Sequence, residues 1–256
     1  SKLMGEVLAF TALIGSLMKY DGILTTQIKG DGPFRVLVSD FHKVNENMTG
    51  NIRGYASFDD VMKEDDSLED MFGENGYLTI TIDQGKFMER YQGMVKLEGD
   101  TITDAAEEYF RSSEQLPTKV MLSCDKDENG RWQAGAIMIQ HYARSAVDEH
   151  SRDKTTTEDH WNTASILLGS LKPSELLDKN LSLQNLLIRL YHEAGVRIFD
   201  HTDVAAGCRC SDDKIRTALS SLDLQELKDV SDEGIITVTC DFCKTDHKFE
   251  LSKLMH

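Results

Sequence analysis

A chain of 256 residues, 40% hydrophobic and 28% charged, has an ordinary globular composition and is long enough for one sizeable core plus a small second domain. Its formal net charge of −16 argues against nucleic acid or an anionic membrane surface as the principal partner, because both are negatively charged. The longest run without a charged residue or histidine, residues 7–18, is too short to cross a bilayer, which takes about 20 residues.

The first part of the chain alternates between helical and strand patterns. Apolar residues at three-to-four spacing predict a buried helix over residues 3–20, ended by Asp21-Gly22. A second helix is predicted over 101–113, with a threonine N-cap and an acidic first turn. Residues 1–147 are therefore predicted to form one α+β domain with mostly antiparallel pairing. The predicted strands are 23–29, 34–40, 52–58, 77–83, 89–97 and a hairpin of 120–124 and 132–141.

The segment 148–204 differs in character. Residues 148–160 are polar and charged, which predicts an exposed connector. Ten leucines then fall between Leu167 and Leu190, in short helical pieces interrupted by Lys172-Pro173. One interpretation is a set of helices packed on the first domain. The other is a metastable linker, because helices below about 12–15 residues are stable only while docked.

The last segment, 205–256, contains four of the five cysteines. Cys208 and Cys210 form one pair, and Cys240 and Cys243 follow after 29 intervening residues. Two such pairs supply the four sulfurs of a tetrahedral zinc site, each at roughly 2.3 Å from the ion. We therefore predict one tetrathiolate Zn²⁺ in a small C-terminal domain. Its predicted elements are a helix capped by Ser211, a helix over 224–230 and a hairpin of 235–240 and 247–251.

Residue spacing alone leaves other sites open. His247 or His201 would convert the centre to a Cys₃His site, although four cysteines already complete a tetrahedral set. The same spacing suits a structural zinc site that never switches. Cys124 ends an apolar strand and is predicted to be a small buried side chain without a redox role. Few, clustered cysteines predict a reducing, cytoplasmic location.

Short motifs spread along the whole chain support a wider resemblance. They are Asp21-Gly22, Gly30-Asp31-Gly32-Pro33, Ile52-Arg53-Gly54-Tyr55-Ala56, Arg90-Tyr91-Gln92-Gly93, Leu97-Glu98-Gly99-Asp100, Tyr109-Phe110, Ser113-Glu114-Gln115-Leu116-Pro117-Thr118 and Arg189-Leu190-Tyr191-His192-Glu193. Together with Cys-x-Cys and Cys-x-x-Cys behind a leucine-rich segment, they make the whole chain resemble the thirty-three-kilodalton heat-shock protein family of bacterial redox-regulated holdase chaperones. The family's first few dozen residues have no counterpart before Lys2, so we expect the first domain to lack them.

The resemblance implies a site and a function. The zinc ligands of the reduced, inactive form would be Cys208, Cys210, Cys240 and Cys243. The oxidised, active form would carry the disulfides Cys208–Cys210 and Cys240–Cys243. Its partners would be unfolded polypeptides, held without ATP. The resemblance also implies a reduced monomer and an oxidised homodimer.

The chemistry of zinc thiolates agrees with such a switch. Four thiolates around Zn²⁺ have a net charge of −2 and are targets for oxidants. A sulfenic acid on one sulfur can condense with a neighbouring thiol, and the resulting disulfide no longer ligates the metal. A structural zinc site contributes on the order of 10–16 kcal/mol to folding, which a domain of about 50 residues needs. Oxidation is therefore expected to unfold 205–256, undock the helices of 161–200 and expose a leucine-rich surface.

Two functions of other classes fit parts of the sequence. A nucleic-acid or translation-factor adaptor would use the zinc domain, but the acidic balance and the lack of interleaved arginine and aromatic residues argue against it. A thiol oxidoreductase would use Cys240-x-x-Cys243, yet such a pair begins a helix, and the residues after Cys243 predict a strand. The chain contains no P-loop, dinucleotide fingerprint or nucleophile elbow. We therefore predict a chaperone and not an enzyme.

Overall fold

The computed structural model describes residues 2–19, 21–43, 49–59, 66–85, 88–142 and 154–254. These residues form two compact units, Ser1–Ala205 and Ala206–His256. No helix among them has the length and hydropathy that crossing a bilayer requires. In chain order the elements are α1 (Lys2–Ser16), β1 (Gly22–Lys29), β2 (Phe34–Lys43), β3 (Thr49–Phe58), α2 (Leu68–Phe72), β4 (Tyr77–Asp83), β5 (Tyr91–Lys96), α3 (Ile102–Ser112), β6 (Thr118–Lys126), β7 (Trp132–Gln140), α4 (Lys154–Gly169), α5 (Pro173–Leu176), α6 (Leu183–Tyr191), β8 (Asp203–Ala206), α7 (Asp212–Leu219), α8 (Leu224–Asp229), β9 (Ile235–Thr239), β10 (Asp246–Glu250) and α9 (Leu251–Leu254).

The first unit is built on a six-stranded sheet with the order β5-β4-β1-β2-β3-β8. Strands β1 to β5 pair antiparallel, and β6 and β7 form a separate antiparallel hairpin. The register places Thr25, Asp40 and Arg53 side by side on three strands. Asp40 is buried and accepts hydrogen bonds from Thr25 Oγ1 at 2.7 Å and from Arg53 Nε at 2.8 Å. The predicted α+β class with antiparallel pairing is confirmed.

Helix α1 contacts both the six-stranded sheet and the β6–β7 hairpin. A Cβ on Gly54 of β3 would lie 2.6 Å from Met4 Sδ, so glycine permits the close approach of helix and sheet. A Cβ on Gly5 would lie 2.2 Å from Cys124 Sγ on the hairpin. Cys124 is buried, as predicted, and burial raises the pKa of its thiol. The core also contains Val7, Phe10, Ile14, Leu24, Ile28, Leu37, Phe41, Phe72, Leu78, Ile80, Ile102, Tyr109 and Phe110.

Helix α2 was not predicted, because it falls in an acidic stretch, residues 59–70, that we expected to be solvated surface. Residues 60–65 of that stretch lie outside the described residues. Ser67 caps α2 through a reciprocal pair of hydrogen bonds with Asp70, the Ser-x-x-Asp pattern of a capping box. Leu68 and Phe72 are buried. Ser67 and Asp70 are a local helix-start signal, but the surrounding acidic residues led us to expect solvated surface instead of a helix.

The segment between the first domain and the cysteines also differs from expectation. Helix α4 begins at Lys154, inside the predicted connector 148–160. Residues 158–160 are exposed as predicted, but they are helical and do not form a loop; residues 148–153 lie outside the described residues. Strand β8 was also missed. Its four residues are all exposed and lack an alternating apolar pattern, so only their pairing at the sheet edge beside β3 defines the strand.

The leucine-rich helices α4 and α5 contact the β6–β7 hairpin, and α6 contacts α4. Three polar contacts accompany this packing. Tyr191 OH donates to Ala164 O at 3.3 Å, and Arg189 Nη2 lies 2.9 Å from Glu175 Oε1. At the tip of the hairpin, Lys179 Nζ lies 2.6 Å from Asp127 Oδ2, which joins the segment between α5 and α6 to the hairpin. The buried cluster consists of Ile137, Leu168, Leu171, Leu176, Leu186 and Leu190.

In the turn between β1 and β2, replacing Gly30 with alanine is expected to destabilise the protein. A Cβ on Gly30 would lie 1.7 Å from the Phe72 carbonyl oxygen, and the adjacent Gly32 N donates to the same oxygen at 3.0 Å. We expect Gly30→Ala to lower the free energy of unfolding by about 1–3 kcal/mol, because backbone atoms must shift. Gly169→Ala, whose Cβ would meet no atom within 4 Å, is the matched control. Urea unfolding followed by tryptophan emission measures both; equal midpoints would contradict the prediction.

Candidate metal centre

The four cysteines of the second unit lie on two loops. Cys208 and Cys210 follow β8 and precede α7. Ser211 ends this loop by capping α7, its Oγ accepting from Lys214 N at 3.3 Å, as the sequence predicted. Lys214 Nζ in turn donates to Arg209 O at 2.9 Å, between the two cysteines. The loop is therefore held against the first turn of the helix.

Cys240 and Cys243 occupy the loop of the β9–β10 hairpin. Cys240 N donates to Thr245 O at 2.9 Å, and Lys244 N donates to Cys240 O at 2.8 Å. Lys244 has a positive φ of 56°, the left-handed conformation that such a tight loop requires. Thr239 Oγ1 donates to Asp246 Oδ1 at 2.6 Å across the last pair of the ladder. Backbone bonds and this pair fix the second cysteine pair in the loop.

The structure brings all four predicted ligands together. Their Sγ atoms lie within 4.8 Å of one another, and no other group of three or more potential metal ligands occurs in the described part of the chain. Cys208 Sγ lies 3.7 Å from Cys240 Sγ, and Cys210 Sγ lies 3.5 Å from Cys243 Sγ. A tetrahedron with metal–sulfur distances of 2.3 Å has sulfur–sulfur edges of about 3.8 Å. The donor set and its spacing therefore fit one tetrahedral metal ion.

The electrostatics of the cluster also favour a cation at its centre. Hydrogen bonding to the Cys208 and Cys243 sulfurs raises the pKa of Cys210 to about 12. Thr245 has the opposite effect, since its hydroxyl and backbone lower the pKa of Cys243. Four sulfurs this close cannot all carry charge without a compensating cation, and a coordinating thiol is deprotonated by the metal. A divalent ion would therefore convert all four thiols to thiolates.

The two histidines considered as alternative ligands are not part of the four-atom cluster. His247 Nδ1 lies 2.6 Å from Asp212 Oδ1, and His201 Nε2 lies 3.5 Å from Asp203 Oδ1. The residues after Cys243 form strand β10, so this Cys-x-x-Cys pair lacks the following helix of a thioredoxin-type site. Sequence reasoning missed the Asp212–His247 contact and the role of Thr245, because neither has a local signal.

A small core supports the centre. Its apolar side chains come from α7, α8, the β9–β10 hairpin and α9, and Arg216 lies over the Phe249 ring with its Cζ atom 5.5 Å from the centroid. So small an apolar cluster gives a unit of this size little stability of its own. The buried members are Leu219, Leu227, Ile236, Phe249 and Leu254.

Comparisons with known proteins agree with one another. A family model described as Hsp33 protein matches residues 1–250. The 33 kDa chaperonin of Caulobacter vibrioides is 36% identical over 262 residues, covering 98% of this chain and 82% of the relative. That of Proteus mirabilis is 35% identical, covering 96% and 80%. The crystal structure of the 33 kDa chaperonin from Thermotoga maritima superposes with a TM-score of 0.76 at 23% identity, covering 99% of this chain and 83% of that one.

Proposed function

Because the chain belongs to the Hsp33 family of chaperones, we propose that it is a redox-regulated, ATP-independent holdase whose four-cysteine cluster binds one Zn²⁺ in its reduced, inactive form. The observation that carries the proposal is the convergence of four sulfurs within 4.8 Å in a unit with a very small apolar core. Zinc would hold the sulfurs as thiolates and supply the stability that this core lacks. We propose the cytoplasm as its location.

Oxidation would remove the ligands two at a time. In each disulfide, Cys208–Cys210 or Cys240–Cys243, two thiolate sulfurs lose two electrons to one hydrogen peroxide molecule, which takes up two protons and becomes two water molecules. A disulfide sulfur is no longer a thiolate donor, so the metal ion is released. Cys208 and Cys243 are exposed and accessible to such an oxidant. Reduction of the two disulfides would restore the binding site.

Chain connectivity offers a route from the metal centre to the leucine-rich helices. Strand β8 lies at the edge of the six-stranded sheet and ends at Ala206, two residues before Cys208. Edge strands with exposed side chains have little packing to hold them. Unfolding of residues 206–256 would therefore release β8 and then the segment that follows α6. Helices α4 to α6 would be left with the hairpin as their main support.

The surface uncovered by this step would hold client proteins. Leu168, Leu186 and Leu190 are buried in one cluster with Ile137 of the hairpin, while Ile166 and Leu183 on the same helices are exposed. Undocking would join both sets into one apolar surface, and a contiguous patch beyond a few hundred Å² captures partners. Unfolded polypeptides, which expose apolar side chains, are the expected clients. The acidic charge of the chain would keep the activated form dispersed.

One assay tests the proposal. A thermally unfolding client is mixed with the reduced, zinc-loaded protein or with the peroxide-treated protein, and light scattering measures aggregation while a chromogenic chelator measures released zinc. We expect suppression of aggregation only after peroxide, accompanied by release of one zinc per chain. Suppression by the reduced form alone, or activation without metal release, would contradict the proposal.

The ion pair between Asp127 and Lys179 is expected to help hold α5 and α6 on the hairpin. Asp127 accepts from Lys179 Nζ, and this contact is the main reason that the pKa of Asp127 is held below its ordinary value. Its stabilising effect is fully present above the ordinary carboxyl pKa and is lost as pH falls through the lowered pKa. At neutral pH, Lys179→Met should therefore increase hydrogen exchange of α5 and α6 by about two- to fivefold.

The matched control for this pair is Lys172→Met. It removes the same charge seven residues earlier in the chain, and the ion pairs of Asp127 are with Arg131 and Lys179, not with Lys172. Exchange of α5 and α6 should remain at the wild-type rate in this variant. Equal acceleration in both variants would show that the Asp127–Lys179 contact does not hold the helices to the hairpin.

A further inference from the structure

A short hydrogen bond joins the two halves of the metal centre. Asp212 lies two residues after Cys210, in the first turn of α7, and His247 lies on β10, four residues after Cys243. His247 Nδ1 is 2.6 Å from Asp212 Oδ1. Because an ionised carboxylate only accepts hydrogen bonds, the imidazole Nδ1–H is the donor. The bond thus connects the helix after the first cysteine pair to the strand after the second pair.

The hydrogen bond to Asp212 is the one that the His247 ring makes among the described residues. Its side chain is 11% exposed, and its register partner Val238 packs against the apolar core of the unit. Its Nε2 is buried and has no hydrogen-bond partner among the described residues. Loss of Asp212 would therefore leave both ring nitrogens unpaired in a buried position, where a missing partner is most costly. Asp212 is 69% exposed and could turn to solvent, so the ring is the constrained member.

We propose that Asp212 and His247 are positioning residues that preset the separation of the two cysteine pairs for a single metal ion. The proposal rests on the metal binding proposed above. Cys243 Sγ lies 3.3 Å from Oγ1 of Thr245, the residue before β10, and the Ser211 cap fixes Cys210 relative to α7. A bond between α7 and β10 therefore sets the distance between these two sulfurs, which is 3.5 Å. Preorganised ligands release a metal slowly, because no ligand can swing away.

Four single substitutions test the proposal in the full-length reduced protein loaded with zinc. Asp212→Ala removes the acceptor, and Asp213→Ala removes the neighbouring charge from the same helical turn without touching His247. His247→Phe keeps a ring without a donor, and His247→Asn keeps an amide donor near the position of Nδ1. The readout is the rate of zinc transfer to a chromogenic chelator. We expect about tenfold faster transfer in Asp212→Ala and His247→Phe, and near wild-type rates in the other two.

Cobalt substitution separates positioning from loss of a ligand. All four variants should bind one Co²⁺ with the absorption of a tetrathiolate site, because every sulfur is retained. A spectrum with fewer thiolates in His247→Phe would overturn the positioning role. Equal zinc-transfer rates in Asp212→Ala and Asp213→Ala would also overturn it, as would a His247→Asn variant that releases zinc as fast as His247→Phe. In either case, one zinc per wild-type chain would leave the proposed function intact. A wild-type protein that binds no metal would refute both.

Discussion

Removal of the metal from the reduced protein is expected to unfold residues 206–256, to release the edge strand β8 and to leave strands β1 to β5 of the sheet folded. A structural zinc site contributes on the order of 10–16 kcal/mol, whereas the second unit buries only a small apolar cluster. Hydrogen exchange before and after chelation under reducing conditions measures the effect. Protection should be lost throughout α7 to β10 and retained in β1, β2 and β4, which lie in the interior of the sheet.

Substitution of a ligand should have the same effect without a chelator. Cys240→Ser removes one of the four converging sulfurs, so metal content and protection of residues 206–256 should both fall to the level of the chelated protein. Cys124→Ala is the matched control, because Cys124 is buried in the first unit and lies outside the cluster. It should retain one metal per chain. Unchanged protection of 206–256 after chelation, or in Cys240→Ser, would refute a metal-dependent fold.

Leu186→Ala is expected to activate the chaperone without an oxidant. Leu186 on α6 is 1% exposed in the cluster that joins the leucine-rich helices to the β6–β7 hairpin. Truncation of a buried leucine costs about 2–5 kcal/mol, from lost transfer free energy and the cavity that remains. Short helices have little intrinsic stability to offset such a loss. The reduced, zinc-loaded variant should therefore expose the apolar surface and suppress client aggregation.

The control for this variant lies one turn away on the same helix. Leu183 is 65% exposed, and Leu183→Ala should change stability by no more than about 0.5 kcal/mol. Both variants should still bind zinc, which a chelator assay checks. Trp132 and Trp161 both belong to the first unit, so tryptophan emission reports docking of the helices without interference from residues 206–256. An inactive, zinc-loaded Leu186→Ala with reduced stability would show that undocking of α6 does not create the client-binding surface.

The elements that matched expectation share a strong local pattern. Alternating strands such as β1 and β4, and the capped helix α3, appear close to their predicted bounds, since side-chain periodicity and a cap act within a few residues. The elements that were missed have weak or conflicting patterns. Strand β8 has four exposed residues, and helix α2 is embedded in a run of acidic residues. The start of α4 follows no apolar periodicity, so its polar residues predict a connector instead of a helix.

By itself, the sequence determined which atoms are available to the metal centre. Cysteine spacing specified two pairs of sulfurs, and short-range patterns specified most of the helices and strands that carry them. Only the tertiary structure decided how those parts meet. Helix α1 contacts both the sheet and the hairpin, close to Gly54 and through Gly5, and His247 contacts Asp212 of the helix that follows the first cysteine pair. The physical reason is the separation along the chain over which each interaction acts. Periodicity and caps act between neighbours along the chain, whereas close packing and a buried hydrogen bond depend on residues that are distant in sequence and adjacent only in the folded protein.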